Sequence, residues 1–261
     1  MREDFREILR LVRPGSRVLD VGCEDGGLLE LLSRERRVDG QGLEISQAGV
    51  SACLAKGLSV VQGDGDRDLD HFPTRAFDYA ILSKTLQQMR EPRHVLSELL
   101  RIADHAIVSV PNFGHWRMRV SLMTRGRMPE TRALPDPWWS TLNIHLCTLR
   151  DFTDLCRELD LRVDACAALS GGKPARQMRP DGMFENWRSE TALFLLSRRA
   201  EGQPDTAPKD LFGEVQLSEA EGPTPKRRSR ALRTLPSTGS ISKLPKQFGR
   251  TIGDWSPKPG I

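Results

Sequence analysis

The feature that most constrains this chain is a regular exchange of apolar strand-like runs and helical patterns over its first 200 residues. Phe5, Ile8, Leu9 and Val12 recur at helical spacing, and Pro14-Gly15 stops that helix. Arg17-Val-Leu-Asp-Val-Gly22 reads as a short strand ending in glycine. Leu28, Leu29, Leu31 and Leu32 mark a helix that starts near Asp25-Gly26. A strand over 38–45 follows, then a helix capped by Ser46 and ended by Lys56-Gly57. Strands are predicted at 58–62, 77–82 and 106–110, with a helix opened by Pro92 before the last of them. Thr148-Leu-Arg-Asp151 has capping-box spacing ahead of Phe152, Leu155, Cys156 and Leu159. Two strands close the pattern, 161–167 and 191–197, joined by a polar loop without helical periodicity.

Strands that alternate with helices form a mostly parallel sheet covered on both faces, and right-handed crossovers make it doubly wound. The last pair has no crossover helix, so it is expected to be antiparallel. The expectation is an α/β sheet of seven strands, the seventh antiparallel, over residues 1–200. Residues 201–261 differ. They hold eight of the 17 prolines and no persistent period, so they cannot bury enough surface to offset their ordering entropy, and the reading is a disordered tail. Its charge is segregated, acidic from Glu201 to Glu221 and basic from Lys226 to Lys258.

Composition removes several classes of function. No apolar run is long enough to span a bilayer, and the start of the chain lacks the apolar core of a secretion signal. A net charge of +4 is too small to argue for nucleic acid or a membrane surface. Five scattered cysteines match neither a disulfide framework nor a zinc pattern, which suits a reducing cytoplasm. No metal site is expected.

In an open α/β sheet, ligands sit beyond the carboxyl ends of the strands at the switch in strand order. After the first strand come Asp20, Gly22, Cys23, Glu24, Asp25 and Gly26; after the second, Glu44 and Ile45; after the third, Gly63-Asp64; after the fourth, Ser83. A carboxylate at 44 can accept both hydroxyls of a ribose, and one at 64 the amino group of adenine. The loop lacks the second glycine of the dinucleotide fingerprint, and Glu24 and Asp25 would repel phosphates. S-adenosylmethionine carries none, and its sulfonium and ammonium are cationic, so an acidic rim suits it better. The structural alternative is that the glycines serve a tight turn and the acids cap helices.

These residues resemble the class I methyltransferase superfamily: Val18-Leu-Asp-Val-Gly-Cys matches its first motif, Glu44 its ribose acid and Gln62-Gly-Asp64 its adenine-side acid. More narrowly, the chain resembles the MetW family through Ser83-Lys-Thr-Leu-Gln87, Pro111-Asn-Phe-Gly-His-Trp-Arg117, Arg125-Gly-Arg-Met-Pro129 and Asn143-Ile-His-Leu-Cys147. The resemblance runs over about residues 10–200. It implies a Rossmann-like class I methyltransferase fold, S-adenosylmethionine as cofactor, a place in methionine biosynthesis and homoserine O-acyltransferase as partner. The family usually has glycine where this chain has Glu24. A positive φ there would cost a non-glycine residue about 1–2 kcal/mol.

His115 and His145 follow the fifth strand on the side where a ligand would lie. Either can serve as the base that takes a proton from a methyl acceptor, or can bond main-chain carbonyls and pin the long connection. Trp116, Trp138 and Trp139, with Arg117, Arg119, Arg125 and Arg127, form a candidate protein-contact surface or a grip on a carboxylate. Three readings follow: a cofactor-binding partner of the acyltransferase, an active methyltransferase on a small metabolite, or an interaction protein with a degenerate cofactor site.

Overall fold

The computed structural model describes residues 2–131, 134–169, 175–179 and 182–199. The tail expected over 201–261 lies outside the described residues. Among the described residues eight strands form one sheet: β1 (Arg17–Val21), β2 (Asp39–Glu44), β3 (Ser59–Gln62), β4 (Phe77–Ser83), β5 (Ala103–Pro111), β6 (Leu161–Leu169), β7 (Arg176–Gln177) and β8 (Thr191–Arg198). Their order is β3-β2-β1-β4-β5-β8-β6-β7. The pairs from β3 to β5 are parallel, while β8 is antiparallel to both β5 and β6. The order reverses between β1 and β4, which puts the switch point beside Gly22.

Alternation along the strands separates two cores. Leu19, Val21, Ala80, Leu82 and Val108 face a layer built by α4 (Pro92–Ile102) and α6 (Leu149–Glu158). Val18, Ile81, Ile107, Leu193 and Leu195 face α1 (Glu3–Leu11) and α2 (Gly27–Arg36). α3 (Gln47–Ala55) contributes Cys53 to this second core. Side chains 18 and 20 share a face, so Asp20 lies on the α1 side.

The expected caps are present. Ser46 Oγ accepts the Gly49 N–H at 3.1 Å, Pro92 opens α4, and Thr148 and Asp151 make the reciprocal box that starts α6. Three features depart from the expectation. The sheet has eight strands, because the two-residue β7 adds to the outer edge of β6. The segment between β6 and β8, expected to be only loop, also holds a short helix, α7 (Met183–Arg188). A further helix, α5 (Trp116–Arg125), fills part of the long connection after β5. Its apolar residues sit on more than one side and only Met118 is buried, so no clean amphipathic stripe announces it.

Candidate functional site

The rim is built by five loops at the carboxyl ends of β1 to β5. The first loop turns on Gly22 and Gly26, whose φ values are +72° and +74°. Neither position has room for a side chain: a Cβ on Gly22 would lie 2.8 Å from Thr85 Cγ2, and one on Gly26 2.5 Å from Leu58 Cδ1. Gly22 thus lets the loop after β1 close against the loop after β4. Between these glycines, Glu24 also takes a positive φ, +52°. The left-handed strain expected for a non-glycine residue is present. The carboxylate, 73% exposed, turns to Arg2 Nη1 at 3.5 Å.

Glu44 is buried at the end of β2. Its Oε2 accepts the Glu24 N–H and its Oε1 the Ser46 N–H, each at 2.9 Å. One carboxylate therefore ties the first loop to the second and to the start of α3. Ile45, next along, is 65% exposed on the rim. Asp64 is half-buried. Its N–H donates to Asp68 Oδ2 at 2.7 Å and its Oδ1 accepts the Asp66 N–H at 2.9 Å. Asp66 in turn accepts the N–H groups of Arg90 and Glu91, which joins this loop to the start of α4.

Asp20 is buried, and its carboxyl is pushed up to about 7. Burial is the largest cause; Arg2 acts against it, and Glu24, Asp4 and Glu44 add to it. Asp25 does not add to the charge of the crevice, because Lys56 Nζ holds it at 2.8 Å, and that bond keeps its carboxyl below the usual range. Cys23 is buried with its Sγ 3.8 Å from Cys53 Sγ, and burial drives its thiol well up, which gives it a packing role. Among the described residues no group of side chains has metal-holding geometry.

Ser83, expected only as a rim residue, is bound by the N-terminal segment. Its hydroxyl donates to Asp4 Oδ2 at 2.7 Å and accepts from Arg2 Nη2 at 3.0 Å. Arg2 and Asp4 also pair with each other at 2.8 Å, and Asp4 is 1% exposed. Sequence reasoning missed both. The available signal is weak: two acids in the first turn of a helix, which the dipole alone would explain.

The two histidines lie in different settings, and no ring contact or hydrogen bond among the described residues joins them. His115 is the N-cap of α5, buried, with Nδ1 accepting the Arg117 N–H at 3.4 Å. Burial holds its imidazole below the ordinary range, so it is neutral at pH 7. His145 is exposed; its N–H donates to the Gln87 carbonyl at 3.0 Å, and its Nε2 lies 3.3 Å from the Arg90 carbonyl oxygen. Asn112 fixes the loop after β5 by donating to the carbonyls of Asn186 and Ser189 and accepting the Gly114 N–H.

The Asp20 shift carries a sign. Folded, the group keeps its proton up to about 7; unfolded, only to 3.8. Between those values the folded state holds more protons, so stability falls as pH rises through the window. Asp20→Asn removes this titration. The melting temperature of the variant relative to wild type should therefore climb between about pH 4 and about pH 8. Thermal melts across that range check it, and a pH-independent difference would refute the assignment.

Comparison with known proteins agrees with this architecture. The family model described as methionine biosynthesis protein MetW matches residues 2–196. A bifunctional methionine biosynthesis protein MetXA/MetW from Rhodopirellula baltica is 34% identical over 204 residues, 75% of this chain. The match spans 32% of that relative, so this chain corresponds to about a third of it. Among solved structures, a Thermotoga maritima S-adenosylmethionine-dependent methyltransferase, described as a possible histamine N-methyltransferase, aligns with a TM-score of 0.55 at 15% identity, covering 76% of this chain and 88% of that one. The [4+2]-cyclase SpnF aligns with a TM-score of 0.53 at 16% identity, covering 76% and 82%. At such identities these likenesses show the fold alone, and a cyclase among them marks how little the fold decides about the reaction. With the family model matched from residue 2 to residue 196, on a sheet of methyltransferase order, the chain belongs to the MetW family of methionine biosynthesis proteins.

Proposed function

We propose that this protein binds S-adenosylmethionine, or its demethylated product, at the rim of β1 to β4, and in that role supports homoserine O-acyltransferase in the cytoplasm. The observation that carries the first half is the charge of the rim. Glu44 and Asp64 stand at the ends of two neighbouring strands, Asp20, which keeps its proton up to about 7, stands on the next, and Arg2 sits beside the acids. A nucleoside with a zwitterionic amino-acid end and a cationic sulfur matches acids with one nearby guanidinium; a pyrophosphate does not. In this reading Asp64 receives the adenine amino group. Glu44 keeps its two backbone bonds and offers remaining lone pairs to the ribose hydroxyls. Gly22, Cys23 and Gly26 shape the loop over the cofactor, with Asp20, Ile45 and Ser83 around it. No helix among the described residues is long and apolar enough to cross a membrane.

Support for the partner comes from the surface after β5. On α5, Trp116, Val120 and Met123 recur at helical spacing and are 37%, 42% and 80% exposed. Trp116 meets Trp187 of α7 with ring centroids 6.0 Å apart, and Phe184 on the same short helix is also exposed. Exposed Arg117, Arg119, Arg125 and Arg127 surround the stripe. Aromatic and methionine side chains inside an arginine rim suit a protein partner whose facing surface is apolar and edged with carboxylates. The Rhodopirellula relative, whose name joins MetXA to MetW in one chain, supports reading that partner as the acyltransferase.

One observation favours methyl transfer as a second reading. His145 is exposed beside the loop after β4 and is the candidate base, whereas His115 is held back by burial, which lowers its basicity, and by the Arg117 N–H on its Nδ1.

Calorimetry with the full chain tests the cofactor. S-adenosylmethionine should bind, and Asp64→Asn should weaken it by about tenfold with little change in melting temperature. Absence of binding to the wild type would end this reading. The partner is tested separately by mixing the purified acyltransferase with the full chain. Met123→Glu, a change on the exposed stripe, should weaken the complex at least about tenfold while leaving cofactor binding intact. An unchanged complex would place the contact elsewhere.

A further inference from the structure

At the opposite end of the strands, beside the amino ends of β4, β5 and β6 and the end of β8, the fold forms an open groove with a volume of about 790 Å3. That volume is in the range of sites for small organic ligands. The nine-residue β5 runs from its wall to the nucleoside rim, so roughly 25 Å of strand separates the two places. The wall holds five guanidinium groups, those of Arg75, Arg101, Arg162, Arg198 and Arg199, against one carboxylate, Asp104.

The way these arginines are held matters. Arg198 is bonded to main chain: Nε donates to the Leu100 carbonyl at 2.9 Å and Nη2 to the Ser97 carbonyl at 3.5 Å. Its position is fixed, and both bonds go to carbonyl oxygens rather than to a carboxylate. Arg101 donates to the Leu69 and Phe72 carbonyls and pairs with Glu98. Arg162 pairs with Asp164, and Arg199 lies 3.5 Å from Asp160. Those three carboxylates are not part of the lining but offset part of its charge, so Arg198 is the lining arginine whose bonds go to carbonyls alone. Arg75 is joined to Asp104 at 2.9 Å, with its side chain 75% exposed. The Arg75 N–H donates to the Arg101 carbonyl at 3.0 Å, which makes the two sides of the wall one unit. The Ser197 hydroxyl, buried in the same wall, has no hydrogen-bond partner among the described residues. His105, stacked on Tyr79 with centroids 5.4 Å apart, adds a flat face to the lining.

We propose that this arginine-lined groove at the amino ends of the strands is a second ligand site that takes a small organic polyanion, a phosphorylated or polycarboxylic metabolite. Guanidinium groups held in place by carbonyls donate to oxyanions without first paying the entropy of ordering. Asp104 sets a threshold, because an incoming anion must compete with it for Arg75. The site is independent of the nucleoside rim and of any partner.

The test uses the full chain at low ionic strength, where such contacts are least screened. The probes are tripolyphosphate and citrate, titrated by calorimetry with S-adenosylhomocysteine present at saturation in both arms. At least one probe should bind, and which one binds assigns the phosphorylated or the polycarboxylic class. Two substitutions of opposite sign follow it: Arg75→Gln should weaken binding by about tenfold, and Asp104→Asn should tighten it by roughly threefold to tenfold. Arg34→Gln, an exposed arginine of α2 outside the groove, should change nothing. No binding of either probe at millimolar concentration overturns the proposal. So does binding that Arg34→Gln weakens as much as Arg75→Gln, or that Asp104→Asn leaves unaltered.

Discussion

The functional end of this protein depends on one buried carboxylate. Glu44 accepts the N–H groups of Glu24 and Ser46, and so joins the loop after β1 to the loop after β2. Both are charge-assisted bonds to backbone donors in a poorly hydrated place, where each is stronger than its counterpart in water. The left-handed turn at Glu24 persists because its own N–H is claimed in this way. Gly49, on the first turns of α3, completes the arrangement: a Cβ there would lie 2.7 Å from both the Glu24 carbonyl oxygen and Glu44 Cγ. The rim is thus a set of backbone segments held at close approach by one carboxylate and by glycines at 22, 26 and 49.

A second layer of organisation lies on top. Arg2, Asp4 and Ser83 bring the start of the chain across the end of β4, and Arg2 reaches Glu24 from there. Asp4 and Asp20 are both buried under the same segment, yet they behave oppositely. Asp4 has a guanidinium and a hydroxyl within bonding distance and stays below the usual carboxylate range despite its burial. Asp20, with Arg2 acting only through space, is dominated by desolvation. Proximity to a donor, more than depth, separates the two acids.

Much of this was legible in the sequence because it is written locally. Strands β1 to β6 and β8, the Ser46 cap, Pro92 at the head of α4 and the Thr148–Asp151 box are each set by residues within a few positions of one another. The parallel pairing of β1 to β5 followed from the alternation, and the antiparallel pair from the missing crossover helix. The positive φ at Glu24 was legible too, from a glycine expected there and absent. What stayed hidden depends on distant partners. Glu44 reads from sequence as an acid with both oxygens available to a ligand, whereas each already accepts an amide. Ser83 reads as open, but its partners stand 79 and 81 positions away. Strand β7 is two residues long, too short for a period to register, and α5 divides its apolar side chains between the interior and solvent. The groove of arginines was illegible for the same reason, since four separate strand edges contribute to it.

The place of β8 has a consequence for biosynthesis. It is the last strand among the described residues to be made, yet it lies between β5 and β6 and pairs with both. Until residue 198 leaves the ribosome, the nascent chain carries two unsatisfied edges, each a nine-residue strand with an apolar face. Such edges invite pairing with other chains. A polypeptide stalled or clipped before Thr191 would be a sheet in two pieces, exposed to chaperone capture or aggregation, whereas one released just after Arg198 would already have closed the gap.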